Sequence, residues 1–502
     1  MEREYIITVK DPAVWDTGLW NELTQDGLGD NFIPTREVDV VNERPFNEWC
    51  AHFNLTDEEA ELIRQDSRID TVELQADLQD DVKKEFIGTR TALYDKSNAT
   101  SATMKNWGLL RCINNSDPFA SSTSVNGDYT YNLDGTGVDV VVMDSGVEPG
   151  HPEFAVNADG TGGSRVVDFN WASLGVPGTP SAASIGGYLG DADGHGSHCA
   201  GIAAGNTCGW APGAAIYSIR IFGGARITNG AYLGTISSDI AFDLVRAFHL
   251  QKIAAGNTRP TICTNSWGYR SSYSGMQYTV WRGTQYNITS RNNSYGQINS
   301  LHPYVVNYLD VSVNNASSAG VIMIGAAGNY LHKADVMGGI DYDNYYRAYG
   351  ENIYYHRGSS PTRASSMINV GAVDNFTTER KAYFSETGPR VDVYAPGVRI
   401  MSALSGNYGS LNDPRNSAYR LGKIDGTSMA CPQVTGMLAC VLQARPTMTP
   451  AEAKQFVIDH SMKNVLQEGS SYLYTSTTYL QDGNNRYLKM PFTNPQRGGI
   501  TS

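Results

Sequence analysis

The sequence predicts an α/β protein built on parallel strands and preceded by a small α+β unit. Apolar runs at residues 138–143, 214–222, 261–264, 320–325, 367–373 and 391–394 are continuous rather than alternating. That is the pattern of strands buried on both faces of a parallel sheet. Helical stretches such as 235–253 fall between the runs, as crossover connections require. Charge then divides the chain. Residues 1–81 hold 21 acidic and 6 basic side chains, a net charge of −15, against 30 acidic and 32 basic in the remainder. A step of that size marks a boundary between folding units.

A chain of 502 residues has room for one large core and an accessory unit. Mean hydropathy of −0.34 and 18% charged residues describe a soluble globular chain. No run approaches the roughly 18 apolar residues of a membrane span. Met1-Glu2-Arg3-Glu4 is not the basic, then apolar, start of a secretory signal. The product is therefore expected to be made in the cytoplasm and retained or released by a non-classical route. Seven cysteines, an odd and sparse count, argue against a disulfide framework. Neither a nucleic-acid nor a membrane partner is expected, and the chain is expected to be a monomer.

Within the acidic unit, residues 1–81, Tyr5 to Val9 and Val38 to Val41 read as strands. Thr56-Asp57-Glu58-Glu59 has capping-box spacing for a helix ending near Gln65. Ile69 to Leu74 alternates like a closing strand. Residues 82–105, with Lys83-Lys84, Arg90, Lys96 and the small polar stretch Ser97 to Thr103, read as a linker. The α/β part follows over 106–492. Asp144, Ser266 and Asn329 each follow the end of an apolar run, and ligand sites in open α/β sheets lie at the carboxyl ends of strands. Thr449-Pro450-Ala451-Glu452 caps a helix to about Ser461, Tyr472 to Phe492 reads as closing strands, and 493–502 as a tail.

The chemistry centres on Gly426-Thr427-Ser428-Met429-Ala430-Cys431-Pro432. It delivers Ser428 to the start of an apolar helical run, with Pro432 read as a first-turn proline that costs the helix nothing. A helix N-terminus favours developing negative charge. A serine hydroxyl nevertheless needs a base, itself held by a third group. Asp144 ends a valine-rich strand and His195 opens a helix within Asp193-Gly194-His195-Gly196-Ser197-His198. The order Asp144, His195, Ser428 is that of the subtilisin-type triad.

The segments VVVMDSGVEPGHPEF, DGHGSHCAGIAAG, VIMIGAAGN, INVGAVD and DGTSMACP, met in that order, resemble the subtilisin-like serine proteases, and most of all their proteinase K branch. The resemblance runs from Asn106-Trp107-Gly108-Leu109 to about residue 465. It implies a three-layer α/β/α fold and a serine endopeptidase with Asp144, His195 and Ser428 as triad and Asn329 in the oxyanion hole. Ser266, Trp267 and Gly268 match the strand that pairs with substrate, and Ala326, Ala327 and Gly328 the opposite wall of the primary specificity pocket. Trp267 is bulkier than the usual Leu, and Gln433 stands where His is usual. No cofactor is implied for catalysis. Structural calcium is implied at Glu153 and Asp374, which match family calcium positions. Residues 1–81 resemble a subtilase propeptide, which implies a self-inhibited, autoprocessed precursor with its maturation site in 82–105. Docking of that unit is expected to rest mainly on strand and helix packing, with the residues after Leu78 lying along Ser266 to Gly268 as an extended, product-like strand. Stretches 269–320 and 330–359, rich in Tyr, Asn, Ser and Gly, are long by family standards and read as insertions walling the cleft.

Overall fold

Alternate side chains of one central strand enter two different cores, and this organises the molecule. The computed structural model describes residues 2–24, 37–76, 79, 82–86, 106–114, 133–223, 234–272, 276–287, 301–375, 379–405, 411–468, 480–494 and 499–500. The N-terminal unit holds β1 (Arg3–Val9), α1 (Trp20–Thr24), β2 (Val40–Asn42), β3 (Cys50–Leu55), α2 (Asp57–Ile63) and β4 (Ile69–Leu74). Its antiparallel sheet has the order β2-β3-β1-β4. The capping box closes as read: Glu59 N–H donates to Thr56 Oγ1 (3.2 Å) and Thr56 N–H to the Glu59 carboxylate (2.8 Å). Strand β3 was not foreseen. Its Cys50 and His52 are buried, and Cys50 joins the neighbouring unit's core, so β3 lacks the polar alternation of a half-exposed strand.

Residues 82–86, at the start of the expected linker, form β5 (Val82–Phe86), an extended strand of the kind expected after Leu78. The rest of the expected linker, 87–105, lies outside the described residues. Then follow α3 (Trp107–Asn114), β6 (Asp139–Asp144), α4 (His195–Ala204), β7 (Ala215–Arg220), α5 (Ser238–Ala254), β8 (Thr261–Asn265) and β9 (Trp267–Ser272). After them come β10 (Met276–Trp281), β11 (Thr284–Asn287), β12 (Leu301–Pro303), α6 (Asn307–Ser318), β13 (Ile322–Ala326), β14 (Tyr345–Ala348) and β15 (Glu351–Tyr354). The chain closes with β16 (Ile368–Val373), β17 (Val393–Pro396), β18 (Ile400–Leu404), β19 (Leu411–Asp413), β20 (Asn416–Ile424), α7 (Thr427–Ala444), α8 (Pro450–His460), β21 (Met462–Lys463) and β22 (Arg486–Tyr487).

The central sheet runs β21-β22-β17-β16-β13-β8-β6-β7, parallel from β22 to β7. From β6, Val140 and Val142 pack with Ala200, Val434 and Leu438 of α4 and α7. Val141 and Met143 pack on the other face with Phe242, Val245 and Leu309 of α5 and α6. Burial on both faces is the physical reason the strand runs are continuous in sequence.

The two insertions are one structure. Strands from both form the antiparallel sheet β11-β10-β14-β15. Their expected bounds need correction, because α6, inside 269–320, belongs to the three-layer core: Leu309 and Val313 are buried in it.

The N-terminal unit docks on α5 and α6, and more than apolar packing holds it. Ile6 and Cys50 join the second core. Beside them the buried Arg44 guanidinium meets Asp243 (2.6 Å), Asp239 (3.4 Å) and Ser312 Oγ (3.2 Å). His52 bridges Glu4 (2.6 Å) and Asp239 (3.3 Å). Buried charge pairs thus add to the strand and helix packing expected to hold the unit. The charge step in the sequence could not show which charges pair across the boundary.

Candidate active site

The carboxyl end of β6 and the N-terminal ends of α4 and α7 carry the three predicted residues. Asp144 is the last residue of β6, His195 the first of α4 and Ser428 the second of α7. His195 Nδ1 lies 2.8 Å from Asp144 Oδ1, which also accepts the Ser145 N–H (2.7 Å). A buried carboxylate acceptor there makes Nδ1 the protonated nitrogen and leaves Nε2 the basic one. Burial pushes the His195 pKa down, but the charge and hydrogen bond of Asp144 outweigh it and the net shift is upward. Asp191, which no motif singled out, fixes the join. Its carboxylate accepts from Ser145 Oγ (2.9 Å), Gly194 N–H (2.8 Å) and Ser197 N–H (2.9 Å), tying the end of β6 to the start of α4. Gly196 is needed for close approach, since a Cβ would stand 2.1 Å from the Gly146 carbonyl oxygen.

The Ser428 hydroxyl donates to the Ser266 carbonyl oxygen (3.0 Å), and Ser266 Oγ donates to the Ser428 carbonyl (3.0 Å). The second bond corrects the reading of Pro432. This proline stands inside α7, past its first turn, and its missing N–H frees the carbonyl four residues back. That carbonyl is Ser428's, and Ser266 Oγ and Cys199 Sγ (3.5 Å) take it up.

Asn329 follows β13, and Thr427 clamps its amide. Thr427 N–H and Oγ1 both donate to Asn329 Oδ1 (2.9 Å each), while Thr427 Oγ1 accepts the Gly328 N–H (3.1 Å). With the oxygen so engaged, Asn329 Nδ2 is directed away as a donor. The motif around Ser428 contains Thr427 without announcing this role.

The other predicted residues divide. Ser266 joins the site through Ser428. The side chain of Trp267 does not, being fully buried against Phe222, Phe242 and Tyr269. Strand alternation turns it into the core, which leaves its main chain as the part free for contacts along the strand edge. Gly268 carries the antiparallel ladder with β5, in the register Glu85↔Gly268 and Phe86↔Trp267. Ala326 ends β13, and Ala327 and Gly328 lead to Asn329. Gln433 is held in place by buried polar contacts. Its amide accepts from Trp210 Nε1 (2.6 Å) and Asn106 Nδ2 (3.0 Å), joining α7 to residue 106.

Calcium does not fit at Glu153. Its buried carboxylate accepts from Thr207 N–H (3.0 Å), Cys208 N–H (3.1 Å), Thr207 Oγ1 and the Arg415 guanidinium, which supplies the positive charge. Asp374 accepts the Asn375 N–H (2.6 Å) and belongs to no group of three ligating side chains among the described residues. The single such group there is Asp144, His195 and Cys199. All seven cysteines are buried and none forms a disulfide. Burial raises the Cys431 thiol to about 11, so it is not a thiolate at neutral pH.

The subtilase family model matches residues 135–485. The chain is 28% identical over 416 residues to an extracellular serine proteinase of Thermus sp. (strain Rt41A), covering 83% of this chain and 72% of that one. It is 28% identical over 372 residues to a subtilisin-like protease of Coccidioides posadasii (strain C735), covering 72% and 57%. The crystal structure of fervidolysin from Fervidobacterium pennivorans, a keratinolytic enzyme related to subtilisin, shares the fold with a TM-score of 0.56 at 19% identity. It covers 100% of this chain and 62% of that chain. These comparisons correct the expectation of a cytoplasmic, non-classically released product, since the Thermus relative is named as extracellular. An export address acts before folding and leaves no trace in the packing of folded domains, so the charges of the first four residues are no measure of it.

Proposed function

The chain belongs to the subtilase family and is a serine protease with that family's α/β fold, and we propose that Ser428, His195 and Asp144 hydrolyse internal peptide bonds of polypeptides through an acyl-enzyme. The observation that carries this is the His195 Nδ1–Asp144 Oδ1 bond, set beside a serine at the start of a buried helix.

Asp144 holds the imidazole in the tautomer whose Nε2 is basic and stabilises the imidazolium once formed. The Ser428 hydroxyl turns its proton from the Ser266 carbonyl to His195 and attacks the scissile carbonyl. Charge then develops on the carbonyl oxygen, where the Ser428 N–H at the start of α7 and Asn329 Nδ2 meet it. His195 returns the proton to the leaving amine, and water repeats the sequence on the acyl-enzyme. This chemistry requires no cofactor, and every residue it uses comes from one chain.

The N-terminal unit acts as an intramolecular inhibitor in this reading. Strand β5 lies antiparallel along β9, on the edge an extended substrate would use. Autoprocessing then cuts the chain that follows Phe86. Wild type is expected to react stoichiometrically with a fluorophosphonate and to shed its N-terminal unit, while Ser428→Ala does neither and stays full length by mass. Equal labelling of the two proteins would remove Ser428 from the reaction.

A further inference from the structure

The slot that would receive the side chain preceding the scissile bond has an unusual end. On β9, Trp267 and Tyr269 enter the core, with Tyr269 Oη on Ser238 Oγ (2.6 Å), so strand alternation turns Ser266, Gly268 and Arg270 the other way. Arg270 is 2% exposed and donates through Nη2 to Glu386 Oε1 (2.7 Å), with Tyr330 against its guanidinium, 3.9 Å from carbon to ring centroid. Glu386 is fully buried, and its N–H donates to the Gly328 carbonyl (2.8 Å). The pair lies directly against Gly328: a Cβ there would stand 2.3 Å from Glu386 Oε1 and 2.7 Å from Arg270 Nη2. Gly268, on the same side of β9 as Arg270, and Gly328, in contact with the pair, therefore present no side chain beside it.

The pair is not saturated. Arg270 Nη1 and Glu386 Oε2 are buried with no hydrogen-bond partner among the described residues. Buried charged groups are seldom left so, because the water they lost is not replaced. Lys381, close in sequence, directs its ammonium to the carbonyls of Ala382 (2.9 Å) and Ser385 (2.8 Å).

We propose that this slot selects a side-chain carboxamide, glutamine or asparagine, before the scissile bond, its C=O accepting from Arg270 Nη1 and its NH₂ donating to Glu386 Oε2. A cation in the same place would meet Arg270, an anion would meet Glu386, and an apolar side chain would leave both atoms unpaired. Only a neutral group with a donor and an acceptor on separate atoms answers both. The inference rests on the serine-protease reading above, with Ser266 to Gly268 and Ala326 to Gly328 as the slot's walls.

The test uses the full chain and a peptide series differing only at the residue before the cut: Gln, Asn, Glu, Met, Leu and Lys. Wild type is expected to favour Gln or Asn over Glu, Met and Lys in kcat/KM by on the order of a hundredfold, the scale at which a site built for hydrogen bonding rejects analogues lacking it. Glu386→Gln replaces the acceptor by an amide and leaves Arg270 uncompensated. It should shift the Gln:Glu ratio toward Glu by at least about tenfold. A ratio within one variant is unaffected by loss of folded protein, and the wild-type series decides alone if the variant does not fold. A wild-type preference for Met, Leu or Lys, or an unchanged ratio in Glu386→Gln, overturns the proposal. Fluorophosphonate labelling without carboxamide preference refutes this inference and leaves the protease reading standing; absence of both labelling and cleavage overturns both.

Discussion

Thr427 decides what Asn329 can do. Two donors from one residue fix the amide oxygen, so its nitrogen is held out as a donor before substrate arrives. Preorganisation of that kind matters because the donor need not reorient as charge develops. Asn329→Ala is expected to fold normally and lose roughly 10²–10³ in kcat with little change in KM, checked by steady-state kinetics. At the same scale, His195 sets the pH response. It must be neutral to accept a proton, and Asp144 raises its pKa against the effect of burial. The rate should therefore fall as pH drops, with the midpoint above the ordinary histidine value of about 6.5. Asp144→Asn should lower the rate and also move that midpoint down, as a kcat/KM profile between about pH 5 and 9 would show.

Among the elements, β5 and α7 show how local rules are bent by their surroundings. Helix α7 tolerates Pro432 because the carbonyl it frees is taken up by Ser266, which couples the residue between β8 and β9 to Ser428. Strand β5 has no sheet of its own and exists by pairing with β9, which β12 flanks on its other side. Its hold is main-chain hydrogen bonding, so proline should weaken it. Successive N–H groups point to opposite sides of a strand. One of Lys84→Pro and Glu85→Pro must therefore remove a ladder bond. That variant is expected to cleave a peptide substrate faster than wild type soon after folding. Indistinguishable progress curves for wild type and both variants would show that β5 does not restrain the enzyme.

For the whole molecule, the contact between the two units is a titratable surface. Burial lowers the His52 pKa, but its bonds to Asp239 and Glu4 raise it further and the net shift is upward. Burial pushes Glu73, which accepts from the Tyr308 N–H at the start of α6 (3.2 Å), up to about 7. Both groups bind protons more tightly docked than free. Their contribution is complete below their free pKa values and is lost as pH rises, for Glu73 through about 7 and for His52 through a docked value above that of ordinary histidine. The N-terminal unit added to processed enzyme should inhibit more tightly at about pH 5.5 than at pH 8. Affinity that instead rises with pH would contradict the sign. Arg44, Asp239 and Asp243 are buried, so this contact should also respond weakly to salt.

The amino-acid sequence by itself determined what depends on near neighbours. Continuous apolar runs specified strands buried on both faces, Thr56–Glu59 and Thr449–Glu452 specified helix starts, and the order of short motifs specified the fold class and the three candidate catalytic residues. Each of those residues stands at the end of an element, where a few neighbouring side chains suffice to announce it. Tertiary structure alone decided what depends on contacts between distant segments. It turned Trp267 into the core, gave Glu153 to Arg415 rather than to a metal, and set Thr427 on Asn329. It also joined strands of residues 269–320 and 330–359 into one sheet and buried Arg44 between units. Such outcomes turn on which charges and main-chain edges meet, and no local pattern encodes the partner of a group that is satisfied only from across the fold.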